Sequence, residues 1–421
     1  MKSCEDYHIS RRRFLTQCAG TAALLGMPAH QLAAAIGSSH APKAESVILF
    51  WNSGGMSHLD TWDPKPGREV GGEFEPIKTS ADGIQISEIF PQLAKQMHNC
   101  AIIRSIAGTN GDHARATYEL QTSYPQNPAL VHPGLGSFIV NESNRSSDLP
   151  SYISIGGMAP RAGYLGQRCE AYYVGLPGER DPYLAFPAGI SQVQGQRRLE
   201  ALARMNARTS GKIAAADLKE SSVALRDAVN LMKSPALASF DLDKEDPKTL
   251  ERYGLTEFGR GALLARKLVE TGVRFVQVNR GGFDNHMDIF PSMRNHGSVM
   301  DPAISALIED LAASGRLEKT LVMVLSEFGR TPKINKDAGR DHHARCFSSL
   351  IAGGGVKGGQ VIGSSDADGM EPKDRPVQVA DLHASVCHAL GVNYTKELTT
   401  PLGRPMKLVK EGAKPVNELF A

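Results

Sequence analysis

The apolar run Leu321-Val322-Met323-Val324-Leu325 breaks into the polar stretch Ser326-Glu327-Phe328-Gly329-Arg330-Thr331-Pro332, and Gly339-Arg340-Asp341-His342-His343 follows it. A run this short, rich in β-formers and bounded by Gly and Pro, reads as a buried strand. Five further runs repeat the pattern: Val47–Trp51, Ala101–Ile103, Tyr152–Ile155, Val273–Val278 and Phe347–Ile351. Helical periodicities lie between several of them. Gly261–Thr271 carries Leu263, Leu264 and Leu268 and stops at Gly272, while Met300–Ala313 carries Ile304, Leu307, Ile308 and Leu311 and stops at Gly315. Val377–Leu390 behaves alike and stops at Gly391. Glycine just past the last periodic residue is a helix C-terminal signal. Alternation of strands and helices predicts an α/β fold, with a mostly parallel central sheet covered by helices on both faces. In such sheets ligands bind at the carboxyl ends of the strands.

Composition narrows the classes. Of 421 residues, 41% are hydrophobic and 22% charged, which describes an ordinary globular chain. The formal charge of +2, without a basic stripe and interleaved aromatics, argues against nucleic-acid binding. The amino terminus stands apart. Ser10-Arg11-Arg12-Arg13-Phe14-Leu15 precedes an apolar run from Ala19 to Met27 and the small residues Ala33-Ala34-Ala35. This order describes an export signal over residues 1–35, with no stable membrane span after its removal. The paired arginines before Phe-Leu match the twin-arginine type, so a periplasmic or extracellular location is expected. Removing four Lys/Arg and two Asp/Glu with the signal takes the formal charge from +2 to 0. Thr16-Gln17 lacks the small residues that would make Cys18 a lipid anchor.

Residues 36–46 read as a linker, and 47–421 as a single α/β domain with a polar helical insertion near 190–260. Cys100, Cys169, Cys346 and Cys387 remain in the mature chain with no CxxC spacing. Their pairing stays open, with Cys346 reading as a buried thiol. Gly353-Gly354-Gly355-Val356-Lys357-Gly358-Gly359 follows a strand but has neither G-x-G-x-x-G nor a Walker Lys-Ser/Thr, and reads as a tight loop. No G-x-S-x-G elbow occurs.

Four strand ends deliver polar clusters: Asn52 to Asp63, Arg104 with Asp112-His113-Ala114-Arg115, Gly281-Gly282-Phe283-Asp284-Asn285-His286, and the loop from Glu327 to His343. Asp284 and His286 have a spacing that lets a loop offer oxygen and nitrogen to one ion. Mixed carboxylate and imidazole sets suit Zn²⁺, Mn²⁺ or Fe, and less obviously Mg²⁺ or Ca²⁺. Each cluster alone has an ordinary structural reading: Asp60 and Asp63 as turn caps, Glu327 as a salt-bridge partner of Arg330. Together at one sheet edge they favour a polar site.

Longer motifs carry a resemblance. Gly54-Gly55-x-Ser57-x-x-Asp60-Thr61-x-Asp63-Pro64-Lys65-Pro66, Ile102-Ile103-Arg104-Ser105, Leu264-Ala265-Arg266 through Val276, and Glu327-Phe328-Gly329-Arg330-Thr331-Pro332 with Gly339-Arg340-Asp341-His342 resemble the domain of unknown function 1501 family. The resemblance runs from about residue 47 to 392. That family is similar to the alkaline phosphatase and sulfatase superfamily, whose members cleave phosphate or sulfate esters at a metal site on the sheet edge. It implies an alkaline-phosphatase-like α/β domain. Asp60 becomes a shifted metal ligand, since Asn52-Ser53 ends the first strand. Asp284 and His286 resemble an Asp/His pair for one ion, and His342 the last histidine ligand. Glu327 stands where an Asp-His pair is expected, with Phe328 in place of the histidine. His113 stands where a nucleophile would be, and no Cys-x-Pro-x-Arg occurs, which contradicts a formylglycine mechanism.

The expectation is an exported metal-dependent hydrolase of phosphate or sulfate esters, acting through metal-activated water. The metal set is Asp60, Asp284, His286, Glu327 and His342, holding Zn, Mn or Ca/Mg. His113, Arg115, Arg330 and His343 are the catalytic candidates, with the two arginines holding the oxyanion. The substrate would be a small-molecule or polysaccharide ester. The alternative is a non-catalytic binding or assembly protein that retains the fold.

Overall fold

The strands of the central sheet are, in chain order, β1 (Ser46–Asn52), β2 (Cys100–Ala107), β3 (Tyr152–Ile155), β4 (Tyr172–Val174), β5 (Phe275–Arg280), β6 (Thr320–Leu325), β7 (Phe347–Ala352), β8 (Gln360–Ile362) and β9 (Val377–Gln378). The computed structural model describes residues 43–143, 148–178, 189–209, 232 and 234–420. Across the sheet the order is β8-β2-β7-β6-β1-β5-β3-β4, with β9 also alongside β2. All pairings are parallel except the two made by β7. The expected mostly parallel sheet is present, and each of the six apolar runs contributes a strand.

Side chains alternate along a strand, so β1 serves both faces of the sheet. Val47, Leu49 and Trp51 join an apolar cluster with helices α1 (His113–Thr122), α2 (Leu135–Asn141) and α5 (Val379–Leu390). Ile48 and Phe50 join the opposite cluster with α3 (Glu257–Glu270) and α4 (Ile289–Ala313). Every residue of β1, β6 and β7 is buried, as continuous apolar runs require when both faces are covered. Each fully buried aliphatic or aromatic side chain there stabilises by roughly 1.5–3 kcal/mol.

Two helices start earlier than their periodicity indicates. Helix α3 begins at Glu257, capped by the Thr256 side chain accepting from the Gly259 amide. Helix α4 begins at Ile289 and continues through Pro302. A proline reads locally as a helix start, yet burial of Ile289, Phe290 and Met293 holds the preceding turns helical. The Asp301 carboxylate also accepts from the amides of Gln92 and Leu93 at 2.9 and 2.7 Å, tying α4 to a neighbouring turn.

Within the 190–260 insertion, Gln192–Thr209 and Pro247–Tyr253 are helical, and residues 210–231 lie outside the described part. So do the expected export signal at 1–35 and most of the expected linker at 36–46. The four remaining cysteines are free and buried, which answers their open pairing.

Strand direction builds the site. Strands β1, β2, β5 and β6 run the same way, so the loops after Asn52, Ala107, Arg280 and Leu325 share one edge. Strand β7 runs oppositely, and its amino end arrives at that edge. It brings the two-residue strands Gly329–Arg330 and His342–His343, which pair antiparallel just before it.

Candidate metal centre

Asp284 is the hub. Its loop leaves β5 through Gly281 and Gly282, and is held from α4 by His296, whose Nε2 donates to the Gly282 carbonyl at 3.0 Å. Burial pushes the His296 imidazole down to about 4, so it sits there neutral. Gly54 lies against the same loop, with φ at +117°, and a Cβ on it would come 2.5 Å from the Asp284 amide nitrogen. The glycine pair after β1 thus permits the close approach of the two loops.

Three imidazoles surround the Asp284 carboxylate. Its Oδ1 lies 3.1 Å from Nε2 of His286 and 3.1 Å from Nε2 of His342, and its Oδ2 lies 3.3 Å from Nε2 of His113. The two Nε2 atoms of His286 and His342 are 3.0 Å apart. One ligand atom each from His113, Asp284 and His342 all fall within 4.8 Å of one another.

The far nitrogen of each ring decides what the near one offers. His342 Nδ1 donates to the Gly111 carbonyl at 2.7 Å, an acceptor only. His286 Nδ1 donates to Asp341 Oδ1 at 2.7 Å, and this hydrogen bond holds the Asp341 carboxyl below its usual range. His113 Nδ1 donates to Glu327 Oε1 at 2.8 Å. Each neutral ring therefore turns a bare Nε2 lone pair toward Asp284. Two N–H groups cannot face each other at the His286–His342 distance, so at most one of that pair carries a proton there. His113 Nε2 is buried without a hydrogen-bond partner. Three imidazole lone pairs meeting one carboxylate favour a bound cation, with Arg330 donating to the Oδ1 side of that carboxylate. Tetrahedral Zn²⁺ with ligands at about 2.0–2.1 Å separates its ligand atoms by about 3.3 Å, close to the spacing seen.

Glu327 and Arg330 hold these ligands and are not themselves available. Glu327 is buried and accepts from the Gly54 amide at 2.7 Å as well as from His113. It orients a ligand in the manner of carboxylate–histidine–metal pairs. Arg330 is fully buried and donates to the carbonyls of Gly54, Gly55 and Arg340 and, at 2.5 Å, to Asp284 Oδ1. Burial alone would raise the Asp284 carboxyl, but the hydrogen bond and charge of Arg330 outweigh it and keep it well below the usual carboxylate range. Phe328 is fully buried, with its ring 4.9 Å from that of His113 and 4.8 Å from that of His342, and forms the apolar floor.

Several nominated residues fall elsewhere. Asp60 is not at the centre: it is fully buried against Arg340, whose Nε and Nη2 donate to it at 2.8 and 3.3 Å. Ser57 also donates to it at 2.5 Å. Its carboxylate is spent locking the loop after β1 to the Gly339–His343 hairpin. His343 is excluded by strand alternation, which turns it away from His342. Its Nε2 donates to the Met370 carbonyl at 2.7 Å. Arg330 is fully buried and directs its donors to Gly54, Gly55, Arg340 and Asp284, and Arg115 opens into a separate cavity. Conversely, His113 joins the ligand cluster, and Asp341 and the Gly111 carbonyl, which sequence reasoning missed, orient two of the histidines. Asp341 had one signal, its place inside Gly339-Arg340-Asp341-His342. Gly111 had none.

The profile of the family described as "Protein of unknown function (DUF1501)" matches residues 44–420. The chain belongs to that family. The motif loops that build the centre all lie inside the DUF1501 match. Among curated proteins no relative matches. Solved structures similar to this DUF1501 chain include the PsFucS1 sulfatase from Pseudoalteromonas sp., at 14% identity, 86% of this chain, 70% of that chain and a TM-score of 0.36. The C-terminal periplasmic domain of EcEptC from Escherichia coli, in complex with Zn, shares 9% identity over 90% of this chain and 95% of that one, with a TM-score of 0.36. Phosphonate monoester hydrolase SpPMH from Silicibacter pomeroyi shares 11% identity over 90% and 76%, with a TM-score of 0.34. These likenesses concern architecture alone.

Proposed function

We propose that this DUF1501 chain is an exported, metal-dependent hydrolase of phosphate or sulfate esters. The reading is carried by one observation: the Nε2 atoms of His113, His286 and His342, each with its Nδ1 donating elsewhere, converge on the Asp284 carboxylate, whose Oδ1 also accepts from Arg330. Three nitrogens and a carboxylate suit Zn²⁺ or Mn²⁺ and poorly suit Mg²⁺ or Ca²⁺, which prefer oxygen. A bound ion would supply Lewis acidity and a water made nucleophilic near neutral pH. The chain's own groups have narrower tasks. Asp341, Glu327 and the Gly111 carbonyl hold the three rings in one tautomer, Arg330 keeps Asp284 ionised, and Phe328 keeps water from beneath the site. Export rests on the twin-arginine pattern; among the described residues no helix is long and apolar enough to cross a membrane.

The test is elemental analysis of protein exported by its own signal, followed by a panel of phosphate and sulfate esters. One transition-metal ion per chain is expected, with hydrolysis of at least one ester, and both lost in Asp284→Ala and His342→Ala. Absence of any bound divalent metal in the wild type sinks the reading. The alternative of a non-catalytic binding or assembly protein has one observation in its favour: neither Arg330 nor Arg115 stands free at the centre to hold an oxyanion. A metal-loaded wild type inactive on the whole panel would establish it.

A further inference from the structure

We infer that a cavity beside the metal centre receives a hydroxyl-rich ring, a saccharide unit of which the hydrolysed ester would be a substituent. The inference leans on the hydrolase reading only for the ester. The cavity has a volume of about 500 Å³, inside the span of roughly 300–1,000 Å³ typical of small-molecule sites. One wall is α1, where Arg115 and Glu119, four residues apart, present the same face. The other is the turn after α1, with Pro125, Gln126 and Pro128.

The chemistry of these walls matches hydroxyls better than a second anion. Among the described residues the Arg115 guanidinium has no ion-pair partner, and Glu119, one turn on along α1, lines the same cavity, so the lining carries one charge of each sign. Glu119 Oε2 accepts from Thr109 at 3.2 Å, and among the described residues its other oxygen has no partner. Asn110, which lines the cavity, accepts from the Asp112 amide through Oδ1 at 3.0 Å, and among the described residues its two N–H donors have no partner. Planar donors and acceptors side by side fit vicinal hydroxyls, each of which donates and accepts. The prolines offer flat apolar surface for the C–H face of a ring.

The cavity is coupled to the metal centre by chain connectivity. Gly111, which accepts from His342, follows Asn110 directly. Arg115 follows His113 by two helical positions, about 200° around α1, so the link between cavity and imidazole cluster runs through the Asn110-Gly111 backbone and not through the helix face. A ring seated in the cavity against Asn110 would thus lie one residue from the carbonyl that orients His342, the side from which a substituent reaches the imidazole cluster.

The experiment uses saturation-transfer NMR on the mature protein with neutral maltotetraose, cellotetraose and β-1,4-galactotetraose, which carry no ester. Tetraethylene glycol, with no vicinal diol, is the control. At least one tetrasaccharide is expected to bind and the control is not. Binding should weaken about tenfold or more in Arg115→Gln and Glu119→Gln, shown folded by circular dichroism, and persist in His342→Ala. Silence from all three sugars, a control that binds equally, binding that survives both cavity variants, or binding lost in His342→Ala would each overturn the proposal. Sugar binding by a chain that holds no metal would leave this inference standing and remove the hydrolase reading.

Discussion

Asp341→Ala tests whether a residue outside the ligand set controls the metal centre. Asp341 accepts from His286 Nδ1 at 2.7 Å, and this bond alone turns the His286 lone pair toward Asp284. Its backbone is pinned independently, with its amide donating to Thr331 Oγ1 at 2.9 Å and its carbonyl accepting from the Thr331 amide at 2.8 Å. The truncation is therefore local. Losing such an orienting partner costs about 10- to 100-fold in metal affinity. The Asp341 side chain is 57% exposed, so solvent screens its charge and the lower figure, about tenfold or about 1.4 kcal/mol, is expected. Asp341→Asn keeps an acceptor for Nδ1 and should lose less. The assay is competition for Zn²⁺ against a chromophoric chelator near neutral pH, with His342→Ala as the reference for a lost ligand. If Asp341→Ala binds Zn²⁺ as tightly as the wild type, while His342→Ala does not, the tautomer reasoning at His286 is wrong.

Two further predictions concern stability. Arg330→Met should destabilise by about 2–3 kcal/mol in urea titration, because it strips the carbonyls of Gly54, Gly55 and Arg340 of their donor while the half-exposed Asp284 carboxylate falls back on water; a loss under about 1 kcal/mol would show those groups to be satisfied otherwise. His58, His296 and His383 are buried, and burial pushes each imidazole from 6.5 down to about 4. The unfolded state then binds more protons below 6.5, so this stability is present above 6.5 and is lost as pH falls toward 4, on the order of 3 kcal/mol per residue. His383→Gln, which keeps an N–H for the Leu120 carbonyl, should flatten the fall by about one proton's worth, and an unchanged slope would refute the assignment.

Much of the fold was legible because burial on both faces forces continuous apolar runs, and each of the six runs became a strand. Strand direction was less legible. Nothing local distinguishes Phe347–Ala352, which runs antiparallel, from its parallel neighbours. Yet that reversal delivers His342 to the site. Helix α4 was foreshortened for a local reason, since Pro302 looks like a start and only packing carries the helix through it.

By itself the sequence determined which strand ends bear chemistry, and it brought Asp284, His286, Glu327 and His342 to one edge. Tertiary structure decided their tasks. It spent Asp60 on Arg340, turned Glu327 from ligand into the support of His113, and buried Arg330 among the Gly54, Gly55, Arg340 and Asp284 acceptors. The reason is that a polar side chain's role depends on which partner wins it, and the winners are far apart in the chain: 214 residues separate His113 from Glu327, and 280 separate Asp60 from Arg340. Hydrophobic periodicity is written locally, but the allocation of hydrogen bonds exists only once the loops have met.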